Sequence, residues 1–219
     1  MAFTIFPFVE GGPIDAVGRL APTDARDTYE HLGHFMARLS VLDDQTIPGG
    51  RSADEVCAQV ESNRIKGDAH FRLHPRSTSR LVELLHLGCD LRQETSGFAH
   101  WDGPQVITNG MNTFTVIDWG AAGAGNRLTD LSAFLMGHGY GACVDERDGH
   151  PTYCEWREAV LHGYLGGRTM TSEMRMQLHF MGMSQGILDS MEMAQHKHRR
   201  ADDFLTYLEA EDAAFYLHF

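Results

Sequence analysis

Ala99-His100-Trp101-Asp102 and Thr115-Val116-Ile117-Asp118-Trp119-Gly120 are the two pieces of sequence from which the fold is read. Between them, Val106-Ile107-Thr108 and Thr113-Phe114-Thr115-Val116-Ile117 flank Asn109-Gly110. An Asn-Gly pair between β-branched runs predicts a hairpin, because both residues tolerate the positive φ that its turn requires. A hairpin returns the chain on itself, so its two outer ends meet. Asp102 precedes the first strand and Asp118 ends the second. One carboxylate is then available to hold Mg²⁺, since hard cations prefer oxygen ligands. The other is available to accept a proton from a substrate hydroxyl. That division suits phosphoryl transfer, where catalysis is mostly positioning and charge neutralisation. Capping of a turn or a helix accounts for two aspartates around a hairpin just as simply.

On either side of the hairpin the pattern is helical, apart from a short strand-like run at Phe3–Val9, broken by Gly11-Gly12-Pro13. Leu32, Phe35, Met36, Leu39 and Leu42 form one stripe of a helix over about 24–42. Ser52 and Glu55 make a capping box for a helix through about Asn63. A helix over about 77–87 stops at Gly88. After the hairpin come a Gly/Ala-rich loop over 120–125 and a helix capped by Thr129 and ending near His138. Three further helices span about 152–165, 172–196 and 202–218. The fold class is α+β, mostly α, in one domain over 1–219 with a small central β-hairpin.

The chain has 219 residues, with 30 Asp and Glu against 18 Lys and Arg, for a formal charge of -12. That balance argues against broad binding to a nucleic-acid backbone. No apolar run reaches the length of a membrane span, and the first residues do not read as a signal peptide. The four cysteines show no C-x-x-C spacing, so a cytoplasmic, reduced protein is expected. Only Lys66 and Lys197 are lysines; Lys66 falls in a polar stretch after a predicted helix.

The order His100-Trp101-Asp102, hairpin, Ile117-Asp118-Trp119, Gly123-Ala124-Gly125, Asp130-Leu131 resembles the phosphotransferase family of aminoglycoside phosphotransferases, choline kinases and related small-molecule kinases. The resemblance covers roughly Phe98 to Phe134. More loosely, Thr4 to Gly11 is similar to the family's hinge strand, and Met36-Ala37-Arg38-Leu39 to the helix after it. It implies a protein-kinase-like C-terminal lobe that transfers a phosphoryl group from ATP, with Mg²⁺, to a small-molecule hydroxyl. By the same resemblance Asp102 is the catalytic base, His100 supports its loop, Asp118 is the Mg²⁺ ligand and Asp130 anchors the loop through backbone N–H groups. The hinge backbone at Phe8, Val9 and Glu10 would meet the adenine.

Two features depart from the family pattern. The metal-binding Asn expected after Asp102 is missing, and position 107 is Ile. A two-residue deletion would put Gln105 there, either as a replacement ligand with a longer arm or as the mark of a lost one. The hinge-like segment begins at Phe3, so the reading expects no N-terminal β lobe and no strand Lys to clamp ATP. A fragment lacking that lobe, a non-catalytic binding or interaction protein, and a lobe repurposed for other chemistry all fit. A lone lobe would expose Phe3, Ile5, Phe6 and Phe8, an edge suited to a homodimer or a partner chain.

Other clusters carry weaker signals. His138, Cys143, His150 and Cys154 include zinc-ligand types without a recognisable spacing. The methionines between 174 and 193 read mainly as core filler. His196 to Arg200 is a short basic patch. Asp145, Glu146, Asp148, Glu155 and Glu158 are compatible with a cationic small-molecule substrate, and equally with surface solubility.

Overall fold

The structure, a computed structural model, describes residues 12–13, 22–42, 50–73, 78–101, 105–108, 114–136, 153–195 and 201–217. Helix α1 spans Pro22–Leu39, and Tyr29, Leu32, Met36 and Leu39 bury its apolar stripe. The helix ends three residues before the expected Leu42, which is left exposed. Helix α2 spans Ala53–Leu73. Its capping box is present: the Ser52 N–H donates to Glu55 Oε2 at 2.8 Å, and the Glu55 N–H donates to Ser52 Oγ at 3.3 Å. The helix runs well past the expected end at Asn63. Val56, Val60, Gly67 and Phe71 keep one buried stripe going through the polar run Glu61-Ser62-Asn63-Arg64, and one stripe is enough for a helix packed on one side. Lys66 therefore lies within α2.

Helix α3 spans Ser79–Arg92, capped by Thr78, whose Oγ1 accepts the Leu81 N–H at 3.3 Å. Gly88 does not stop it. A Cβ there would lie 2.2 Å from the Phe180 carbonyl oxygen and 2.4 Å from Ser184 Oγ. The glycine thus lets α3 approach the later helix α6, and the absence of a side chain serves packing instead of termination.

Helix α4 occupies 129–136. Thr129 is its first residue and does not cap it, since its buried Oγ1 has no hydrogen-bond partner among the described residues. The turn before it is held by Asn126, whose Oδ1 accepts the Leu128 N–H at 2.9 Å and whose carbonyl accepts the Thr129 N–H at 3.0 Å. Helices α5 (Tyr153–Leu165), α6 (Ser172–Gln195) and α7 (Ala201–Leu217) follow, near the expected bounds. Gly166 and Gly167, both at positive φ, end α5 as the sequence implies.

Two apolar clusters hold these helices together. Tyr29, Leu32, Leu131, Trp156, Val160 and Met181 join α1, α4, α5 and the first half of α6. Val56, Phe71, Leu84, Ile187, Phe204 and Leu208 join α2, α3, α6 and α7. α1 and α5 cross closely: a Cβ on Gly33 would lie 2.1 Å from the Val160 carbonyl oxygen, and one on Gly163 2.0 Å from that of Glu30. A polar clamp ties α7 to α3 and α6. Arg80 donates to both Asp212 oxygens at 2.8 and 3.0 Å, and His179 Nε2 lies 2.9 Å from Asp212 Oδ1.

The strands form two small antiparallel sheets. The first has the order β1-β3-β4, with β1 at Gly12–Pro13, β3 at Gln105–Thr108 and β4 at Phe114–Ile117. The Gly12–Pro13 segment, expected to break a strand, instead pairs with β3, at an edge where proline's missing N–H is tolerated. The hairpin exists, and Thr108 pairs with Phe114. The Asn109-Gly110 turn itself lies outside the described residues. The second sheet pairs β2 (Gly97–Ala99) with β5 (Gly123–Gly125). The sequence reads 120–125 as loop, whereas Trp119–Ala121 is a 3₁₀ turn and the last three residues are strand. The whole is α+β and mostly helical. Among the described residues, no helix is long and apolar enough to cross a membrane.

Candidate functional site

The β2–β5 pair sets His100 and Trp101 beside the segment that follows Asp118. His100 is fully buried. Its backbone N–H donates to Asp130 Oδ2 at 2.8 Å, and the Trp101 N–H donates to Asp130 Oδ1 at 3.0 Å. A carboxylate at the start of α4 thus holds two successive N–H groups, the anchoring geometry expected of Asp130. Burial pushes the Asp130 carboxyl up from its ordinary value, and the two N–H donors pull it back. The His100 ring reaches the other way: its Nε2 lies 2.9 Å from the Ile117 carbonyl oxygen. A carbonyl only accepts, so Nε2 donates its proton in this contact. Nδ1 is buried with no partner among the described residues. The Trp119 ring closes over the imidazole, with centroids 4.9 Å apart at 65°.

Asp118 follows β4 at φ 62° and ψ 58°, the left-handed region. Trp101, at φ 74°, is the other described non-glycine residue at positive φ. Such a backbone costs about 1–2 kcal/mol for an ordinary L-residue, somewhat less for Asp. Both strained residues flank the hairpin, one next to His100 and one after Ile117, which are joined by the His100 ring. Strain of this kind concentrates at functional sites. Trp101 is held there by its hydrogen bond to Asp130 and by its indole N–H, which donates to the Ala124 carbonyl at 2.9 Å.

The Asp118 side chain is exposed and has no hydrogen-bond partner among the described residues. Gln105 pairs with Ile117 across the hairpin, which places it one register position from Asp118. An exposed carboxylate is a hard-oxygen donor of the type Mg²⁺ takes while it keeps several of its own waters. Asp102, Phe8, Val9 and Glu10 lie outside the described residues, as do residues 138–150 of the histidine–cysteine cluster and the basic patch 196–200. Among the described residues no group of three or more His, Cys, Asp or Glu side chains is placed to hold a metal. Cys57 and Cys89 are free thiols, and burial pushes that of Cys89 up to about 11. Of the acidic stretch, Glu158 is exposed on α5.

Sequence reasoning gave no role to Trp101, Arg51 or Arg92. Arg51 is bound to the strand after Asp118: its N–H donates to the Ala122 carbonyl at 2.8 Å and its carbonyl accepts the Ala124 N–H at 3.0 Å. The Arg51 and Arg92 guanidinium carbons lie 5.9 and 5.7 Å from the Trp101 ring centroid, within cation–π reach. One signal for Arg92 was present in the sequence. It falls four residues after Gly88 and seven after Leu85, on the buried stripe of α3. No protein-family model matches the chain, and neither does any curated protein.

Proposed function

We propose that the chain is the C-terminal lobe of a small-molecule kinase, transferring a phosphoryl group from ATP to a hydroxyl. The observation that carries this reading is the double tether of the His100-Trp101 segment: Asp130 holds its N–H groups, and the His100 ring holds the carbonyl of Ile117. This supports the reading because phosphoryl transfer needs a base and a metal ligand held at one place, and the tethers join the residues just before Asp102 and just before Asp118. In the step itself Asp102 accepts the acceptor hydroxyl's proton as that oxygen bonds to the γ-phosphorus. The bond from the γ-phosphorus to the bridging oxygen breaks, and ADP leaves. Mg²⁺, held by Asp118 with Gln105 as a second candidate ligand, would neutralise charge on the phosphate oxygens. Phe8 to Glu10 would supply backbone contacts to the adenine.

Asp118→Asn tests this directly. Asn tolerates the left-handed backbone, so the fold is kept while the carboxylate is lost. By calorimetry the natural chain is expected to bind MgATP, with affinity at least about tenfold lower in the variant, a difference of about 1.4 kcal/mol. Absence of nucleotide binding at millimolar MgATP, or equal binding by the variant, would refute the proposal for this chain.

A further inference from the structure

A cavity of about 450 Å³ opens beside the tethered segment, between α2, the second half of α6 and Trp101. Its size suits a small molecule. Arg92 forms part of its wall although the residue is only 4% exposed. A guanidinium stays protonated under ordinary conditions. Among the described residues its hydrogen-bond partner is the neutral Gln185 amide oxygen, and its buried Nε has none. No carboxylate there lies within ion-pair distance of it. Gln185 donates its own amide N–H to Asp189 at 2.6 Å, so an amide bridges Arg92 and this acid. Burial raises the Asp189 carboxyl, which weakens it further as a counter-ion.

A buried cation without an anionic partner among the described residues is costly, and the natural remedy is an anion or a second acceptor. Arg51 and Lys66 also line the cavity, against Asp189 and an exposed Glu192. Trp101 lies within cation–π reach of both arginines, fixing two guanidinium groups on one wall. Amide side chains of α2 and α6 make up much of the rest.

We propose that this cavity binds a small, hydroxylated molecule through a carboxylate or phosphate group seated against Arg92 and Arg51. An anionic ligand is the opposite of the cationic substrate with which the acidic stretch is compatible. That the ligand is also the phosphoryl acceptor rests on the proposed kinase function; its binding does not.

The test is calorimetry on the full chain without nucleotide, at low ionic strength, using malate, glycerol phosphate and choline as probes. Malate or glycerol phosphate is expected to bind saturably at one site, and the better of the two identifies the anionic group. Arg92→Met, which replaces the buried charge with an apolar chain, and Arg51→Ala are each expected to weaken that binding at least tenfold. Tighter binding of choline, no saturable binding of either anion, or unchanged anion affinity in a folded Arg92→Met protein would overturn the proposal. If Arg92→Met does not fold, unchanged affinity in Arg51→Ala overturns it. Anion binding that survives alongside a failure to bind MgATP would reject the kinase reading and leave this one standing.

Discussion

Asp130→Ala is the most informative perturbation of the frame around the site. Asp130 is buried, and each of its oxygens accepts one backbone N–H, from His100 at 2.8 Å and Trp101 at 3.0 Å. Hydrogen bonds to a charged group contribute about 1.5–3 kcal/mol each, so two of them contribute about 3–6 kcal/mol. Removing the carboxylate also removes the cost of burying it, which offsets part of the loss. The Trp101 N–H belongs to a residue at φ 74°, so its release also frees the chain to relax from the left-handed region. The net expectation is a destabilisation of about 2–4 kcal/mol. For a chain of this size that corresponds to a fall in Tm of about 4–16 °C. Urea unfolding followed by far-ultraviolet circular dichroism and by tryptophan fluorescence measures it. Asp130→Asn keeps one acceptor but presents an NH₂ to the other N–H, so it should fall between the natural chain and the Ala variant. A loss below about 1 kcal/mol in Asp130→Ala would refute the two-tether account.

Gly88→Ala improves intrinsic helix propensity by about 1 kcal/mol, yet its Cβ would strike the Phe180 carbonyl and Ser184. Net destabilisation of about 1–3 kcal/mol in thermal unfolding is expected, and a stabilised variant would refute the close α3–α6 crossing. The clamp on α7 predicts a pH dependence. Burial holds His179 below its ordinary value, so the unfolded chain takes up that proton first and stability falls as pH drops below the ordinary histidine value of 6.5. Burial pushes the Asp212 carboxyl up, but the hydrogen bonds from Arg80 and His179 outweigh it and leave it below the ordinary 3.8. Its contribution is therefore present above pH 3.8 and lost as pH falls through the folded value. Unfolding free energies from pH 7 to 3 check both, and a flat profile in that range would reject the clamp.

Periodicity carried the helices: the stripe of α1, the Ser52–Glu55 capping box and the Gly166-Gly167 stop are all local patterns, and each appears in the structure. The β-branched runs carried the hairpin for the same reason. The pairing of Thr108 with Phe114 was not legible, because register depends on which faces of β3 and β4 are buried and not on the turn residues alone. The site was legible only as an order of residues. His100, Asp118 and Asp130 stand out in the sequence, but nothing local says that Asp130 reaches back thirty residues to the His100 N–H.

Local sequence determined which segments become helix or strand, because those choices depend on neighbours a few residues apart. Only the tertiary structure decided that Gly97-Phe98-Ala99 pairs with Gly123-Ala124-Gly125, two three-residue segments too short and too small to show an alternating pattern. It alone decided that Gly88 is a contact and not a stop, and that Arg92 is a buried cation on the wall of a cavity. In each case the deciding interaction is with atoms far away in the chain, and its energy exists only once the two segments have met.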